Sequence, residues 1–168
     1  KIVSTHRLSD GIALRTAENA LREGDASTAL DALIPAWEAG STDHHLEVQM
    51  GLASLALGIY DVVETLTADD DLSIEHMVLR WFVCLWDGLD VPDIDFHDPE
   101  VVWAVSGQLK TLARCGRTDI VHLAVQSAVQ HGHERLLNAL RSLPTRAPTN
   151  GRPHAPPLNG RSVFVEKW

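Results

Sequence analysis

The sequence predicts an all-α protein: antiparallel helical hairpins packed one on the next, followed by an extended tail. Apolar residues recur at three- and four-residue steps through most of residues 1–143, the spacing that lines one face of a helix. Glycines separate the periodic runs where left-handed helix ends are expected. Residues 144–168 are instead rich in proline and glycine, which excludes regular helix. A chain of 168 residues, 45% hydrophobic and 22% charged, suits one domain with a real core.

The apolar spacing from Ile12 to Leu21, with Ser9 or Asp10 placed as the cap, predicts a first helix closing near Gly24. Ala29, Leu30, Leu33, Ala36 and Trp37 give a second helix ending at Gly40, which completes a hairpin. Asp43 can cap a third run through Leu46, Met50, Leu52, Ala53 and Leu57, closed by Gly58, and Tyr60, Val63 and Leu66 begin a shorter return helix. Ser73 with His76, or Asp71 with Glu75, opens a stretch through Val78, Leu79, Phe82, Val83, Leu85 and Trp86. That stretch is apolar almost all round and is expected at the centre.

From Gly88 to His97 the periodicity breaks. Asp98-Pro99-Glu100 then supplies a cap, a first-turn proline and a first-turn acid together, the clearest helix start in the chain. Val101, Val102, Val105, Leu109 and Leu112 carry that helix to Gly116, Ile120, Val121, Ala124, Val125 and Ala128 form its return, and a last helix runs from His133 to Leu143. Trp37, Trp81, Trp86 and Trp103 all sit at apolar helical positions and are expected in the core. The tail turns basic through Arg146, Arg152 and Arg161 and ends in a β-prone Val163-Phe164-Val165, so it is expected to pack on the helical body, to mediate self-association with a second copy, or to serve as a linker.

Gly24-Asp25 and Gly58-Ile59-Tyr60 hold the same place between two helices and lie 34 residues apart. The first unit carries small residues at Ala13, Ala17 and Ala20 and again at Ala29 and Ala36. The second has Met50, Gly51, Gly58 and Tyr60, with Val63 in place of a small residue and Asp69-Asp70-Asp71 in place of a proline. In these features the chain resembles the tetratricopeptide-repeat family, in degenerate copies, over roughly two thirds of its length. A third unit fits on Leu109, Leu112, Gly116, Val121, Val125 and Ala128, out of period with the other two.

The resemblance implies a short α-solenoid over residues 1–143, with a groove lined by the first helix of each unit. Carried over position by position, the partner-binding groove falls on Arg15, Glu18 and Arg22 of the first unit and on His45, Gln49 and Leu52 of the second. The three charged residues read equally well as a solvated helix face held by pairing between neighbouring turns.

No phosphate-cradling G-x-x-x-x-G-K-S/T, no G-x-G-x-x-G and no G-x-S-x-G occurs, and His133-Glu134 lacks the second histidine of a zinc-protease helix. The histidines at 44, 45, 122, 131 and 133 are scattered at helix ends rather than convergent, so neither metal nor other cofactor is expected. Asp90, Asp93, Asp95, His97, Asp98 and Glu100 lack the glycine and distal glutamate of a calcium loop and read as a solvated acidic loop. Cys84 and Cys115 lie in apolar helical patterns with no C-x-x-C spacing and read as reduced, buried thiols.

A net charge of −9 disfavours nucleic acid and anionic membrane as partners. No run reaches a membrane span, and Lys1 to Asp10 is too polar for a secretory core, so a cytoplasmic location is expected. The expected function is a scaffold for protein–protein interaction that binds a peptide or a neighbouring domain. The alternative is an accessory helical domain of a larger bacterial enzyme such as a glycosyltransferase, consistent with a chain that opens at Lys1 and closes after a strand-like run. Ala29→Arg should destabilise the protein by several kcal/mol, because an unpaired charge would enter the hairpin contact. An unchanged melting temperature would show that Ala29 does not lie in a close helix contact.

Overall fold

The computed structural model describes residues 2–69, 72–89 and 94–145, with side chains from Ser9 onward. The described residues form helices without strands: α1 (Ile2–Arg22), α2 (Ala26–Glu38), α3 (His44–Ala56), α4 (Tyr60–Leu66), α5 (Ile74–Asp87), α6 (Pro99–Arg114), α7 (Thr118–His131) and α8 (Glu134–Leu140). The all-α class follows the sequence. Asp70, Asp71, Asp90, Asp93 and the tail from Arg146 to Trp168 lie outside the described residues.

Local chemistry sets most of the helix ends. Asp25 caps α2 by accepting the Thr28 N–H, Asp43 caps α3 by accepting from His45 and Leu46, Ser73 caps α5 by accepting from His76, and Asp98 caps α6 ahead of Pro99. The first helix departs from the reading of Ser9 or Asp10 as its cap: α1 begins at Ile2, which places both residues inside it. The Asp10 carboxylate accepts the Ser41 hydroxyl at 2.6 Å, binding α1 to the turn after α2 instead of ending a helix.

Each helix packs on its neighbours in sequence, and alternate helices meet as well, α1 with α3, α3 with α5, α5 with α7 and α6 with α8. The core runs through the whole body, from Ala17, Ala29 and Leu33 through Leu46, Leu55, Val63, Leu79, Trp81 and Phe82 to Leu109, Leu112, Ile120 and Leu136. Ala29 is fully buried, in keeping with a small residue at the first hairpin contact. Helix α6 does more than meet its neighbours, because it also packs on α3 and on α1.

Two glycines permit the closest approaches. A Cβ on Gly51 would stand 2.7 Å from Leu79, so its absence lets α5 settle against α3. Gly24, at φ +81°, bends the chain from α1 into α2 with its backbone against the end of α6: a Cβ there would lie 2.5 Å from the Arg114 carbonyl oxygen.

Arg117, between α6 and α7, is the principal buried cation of the described core, 3% exposed. Its Nε and one terminal nitrogen donate to Asp119 at 3.0 and 3.3 Å, and the other donates to the Leu55 carbonyl at the end of α3, at 2.7 Å. The guanidinium also donates to the Tyr60 hydroxyl at 2.6 Å and lies 4.9 Å from the Trp86 ring, which stacks on Tyr60.

Two glycine substitutions separate backbone strain from collision. Gly116 has φ +86° but open space around its Cβ position, so Gly116→Ala should cost roughly 1 kcal/mol in urea unfolding. Gly24→Ala adds collision with the α6 backbone and should cost about 3 kcal/mol or more. Equal losses would show that the first turn is not pressed against α6.

Candidate functional site

The apolar stripe of α6, Val102, Val105, Leu109 and Leu112, faces the core. One step round the helix, Trp103, Gly107, Lys110 and Arg114 form the opposite stripe, and all four are exposed. Trp103 is therefore not a core residue as its apolar neighbourhood suggests: it is 82% exposed. Trp37, in the last turn of α2, is also exposed, whereas Trp81 and Trp86 are buried as the sequence implies.

Beside Trp103 lies a cavity of about 490 Å³ between α3, α5 and α6. Val48, Gln49 and Leu52 of α3 form one wall, Ile74 and Glu75 the start of α5, and Ala104, Gly107, Gln108 and Thr111 the α6 side, with Glu100 also in the lining. The lining is chiefly apolar and its charged groups are both carboxylates. Gln108 is fixed from behind, its Nε2 donating to the Glu75 carbonyl at 3.1 Å, and its Oε1 is buried without a hydrogen-bond partner. Burial pushes the Glu75 carboxyl up, but its own backbone N–H, the His44 ring and Ser73 outweigh this and hold it below the usual range. At neutral pH this wall is anionic.

The groove residues expected from the sequence divide between this cavity and the outer surface. Gln49 and Leu52 line it, Leu52 almost wholly buried. His45, one turn before Gln49, is exposed, as are Arg15, Glu18 and Arg22 on α1, and none of these four is in the cavity lining. Trp103, Ile74, Glu75 and Gln108 escape sequence reasoning because three segments distant in the chain supply the walls. The one available signal was that Trp103 shares its helical face with Lys110 and Arg114 rather than with Leu109 and Leu112.

A second constellation sits at the start of α5. The Ser73 hydroxyl lies 2.7 Å from His76 Nδ1, and His76 Nε2 lies 2.9 Å from a Glu47 carboxylate oxygen. A carboxylate can only accept, so His76 Nε2 donates to it, which leaves Nδ1 to pair with the Ser73 hydroxyl. These are the atoms of a hydrolytic relay, but Ser73 Oγ also accepts the His76 backbone N–H that caps α5, and His76 is 5% exposed. The arrangement serves as a polar joint between α3 and α5. His44 extends it, its ring 4.9 Å from that of His76 and its Nε2 3.3 Å from Glu75.

The remaining candidates are less developed. Cys84 and Cys115 are free and half-buried, and burial raises both thiols above their ordinary range, which keeps them protonated and weakly nucleophilic at neutral pH. In the acidic loop, Asp95 accepts the His97 N–H and Asp98 is the cap of α6. Among the described residues, no helix is long and apolar enough to cross a membrane.

Comparison with protein-family models, with curated proteins and with solved structures finds no match for this chain. The functional reading therefore rests on the geometry of the chain itself.

Ser73→Ala should lower stability by about 1 kcal/mol in urea unfolding, since it removes both the cap and the partner of His76 Nδ1. An unchanged midpoint would show that the joint contributes nothing to holding α5 on α3.

Proposed function

We propose that the chain is an interaction module, a short array of helical hairpins similar to tetratricopeptide repeats, which holds an extended peptide in the cavity beside Trp103. The observation that carries this reading is a tryptophan left 82% exposed at the edge of an apolar cavity of about 490 Å³. Tryptophan buries more apolar surface on binding than any other side chain, and leaving it in water costs solubility unless a partner covers it. The cavity's apolar floor offers contact area for peptide side chains, and Glu75 and Glu100 favour a basic partner.

The helix contacts support the array reading through their nearest-neighbour order and through Gly24 and Gly58, both at positive φ and 34 residues apart. The added contacts of α6 with α3 and α1 make the array tighter than a strictly linear one. They also bring the Trp103 face of α6 beside Gln49 and Leu52, so the peptide site lies between an early and a late element.

A peptide array titrated with the purified chain tests the reading. Short segments combining apolar or proline residues with arginine or lysine should bind, and acidic ones should not. Trp103→Ala, at a side chain so exposed that folding is unaffected, should weaken each hit at least about tenfold, or about 1.4 kcal/mol. Absence of binders, or binders indifferent to Trp103→Ala, would overturn the proposal.

A further inference from the structure

We propose that the occupant of the Trp103 cavity is the C-terminal segment of the same chain, residues 146–168, which seats itself on its own helical body. This rests on the peptide-binding reading of that cavity and names the peptide.

Charge complementarity is the first argument. Residues 1–145 carry ten Lys and Arg against 22 Asp and Glu, a net of −12, whereas residues 146–168 carry four against one, a net of +3. The charged residues that line the cavity, Glu75 and Glu100, are both acidic, and Arg152 and Arg161 flank the segment's proline pair. Glu75 is held in its anionic form by the surrounding donors, so this attraction persists at neutral pH.

Side-chain chemistry is the second. Pro156-Pro157-Leu158 is the type of sequence that docks in extended polyproline form on an exposed aromatic ring, with the proline rings against the aromatic face. Prolines restrict the free segment beforehand, so less entropy is lost on docking. Leu158 and Phe164 add the apolar groups that the floor of Val48, Leu52 and Ile74 accommodates.

Reach is the third. The 23 residues that follow Thr145 span on the order of 70 Å when extended, against roughly 40 Å for the width of a body of this size. Attachment to the same chain gives the segment an effective concentration on the order of millimolar at the cavity. A contact of modest intrinsic affinity is therefore occupied most of the time, and an outside peptide must compete with it.

The test uses the whole 168-residue chain and a fluorescein-labelled synthetic peptide of residues 146–168, followed by anisotropy. Wild-type chain should bind the peptide weakly, because its own segment fills the site. A chain carrying Pro156→Asp and Pro157→Asp, which disables the attached segment and leaves the helical body untouched, should bind it at least tenfold more tightly. Adding Trp103→Ala to that chain should abolish the gain.

Equal affinity of the wild-type and proline-variant chains, or no binding by the latter, would overturn the inference. A wild-type chain that is a concentration-dependent dimer, made monomeric by the proline substitutions, would also overturn it by placing the segment on a second copy. The peptide array, probed with the proline-variant chain whose cavity is open, separates this failure from that of the function: Trp103-dependent array binders beside an inert 146–168 peptide leave the module standing and dismiss this occupant, whereas no binder of either kind to that variant dismisses both.

Discussion

The body depends most on one buried cation. Arg117 reaches the end of α3, Tyr60 at the start of α4, Trp86 of α5 and Asp119 of α7 with a single guanidinium. Its bond to the Leu55 carbonyl, which also accepts the Gly58 N–H, falls where the helix dipole of α3 is negative, so charge and hydrogen bond act together. Removing water from a charge costs several kcal/mol, and the forked pairing with Asp119, two neutral acceptors and an aromatic face offset that cost only when four elements arrive in one arrangement. A planar group with fixed donor directions thus ties α3, α4, α5 and α7 together at one point. Lysine, a point charge, could not satisfy the same acceptors.

Much of the remaining architecture follows from how closely the backbones approach. Gly51 opens α3 to Leu79 of α5, and Gly24 lets the first turn rest on the end of α6. With α6 drawn back against α3 and α1, the outer stripe of α6 comes to lie beside Gln49 and Leu52. The cavity is therefore a by-product of packing that closes the body, and its tryptophan is the part that packing alone does not explain. Val102, Val105, Leu109 and Leu112 already fill the core face of the helix.

The polar joint at the start of α5 has the geometry of a catalytic relay and the role of a structural tie. Ser73, His76 and Glu47 sit at distances a catalytic relay would have, yet each serves the fold, Ser73 as cap, His76 as buried partner and Glu47 as anchor on the neighbouring helix. The same joint reaches the cavity through His44 and Glu75, whose backbone carbonyl holds Gln108. One network of hydrogen bonds thus stiffens α3 against α5 and positions the acidic wall of the proposed binding site. In the proposed reading electrostatics acts at two ranges, the wall selecting the sign of what enters and the net charge of the body attracting a basic segment.

The sequence by itself determined the helices and most of their ends. Periodicity, capping aspartates and glycines act within a few residues of one another, and Asp43, Ser73 and Asp98-Pro99 start their helices where the chain alone says they should. It misplaced the start of α1, because Asp10 looks like a cap until Ser41, 31 residues on, is seen to donate to it. Gln49 and Leu52, expected in a groove from the resemblance, line the cavity, but the sequence could not show that Arg15, Glu18 and Arg22 lie outside that lining, nor that Trp103 faces water. Those points depend on which helix covers which face. Arg117 finds Leu55 and Tyr60 across 62 and 57 residues, and no local pattern in a sequence records a contact at that range. Only the tertiary structure decided them, because burial at a helix face is settled by the neighbour that packs on it and not by the residues along it.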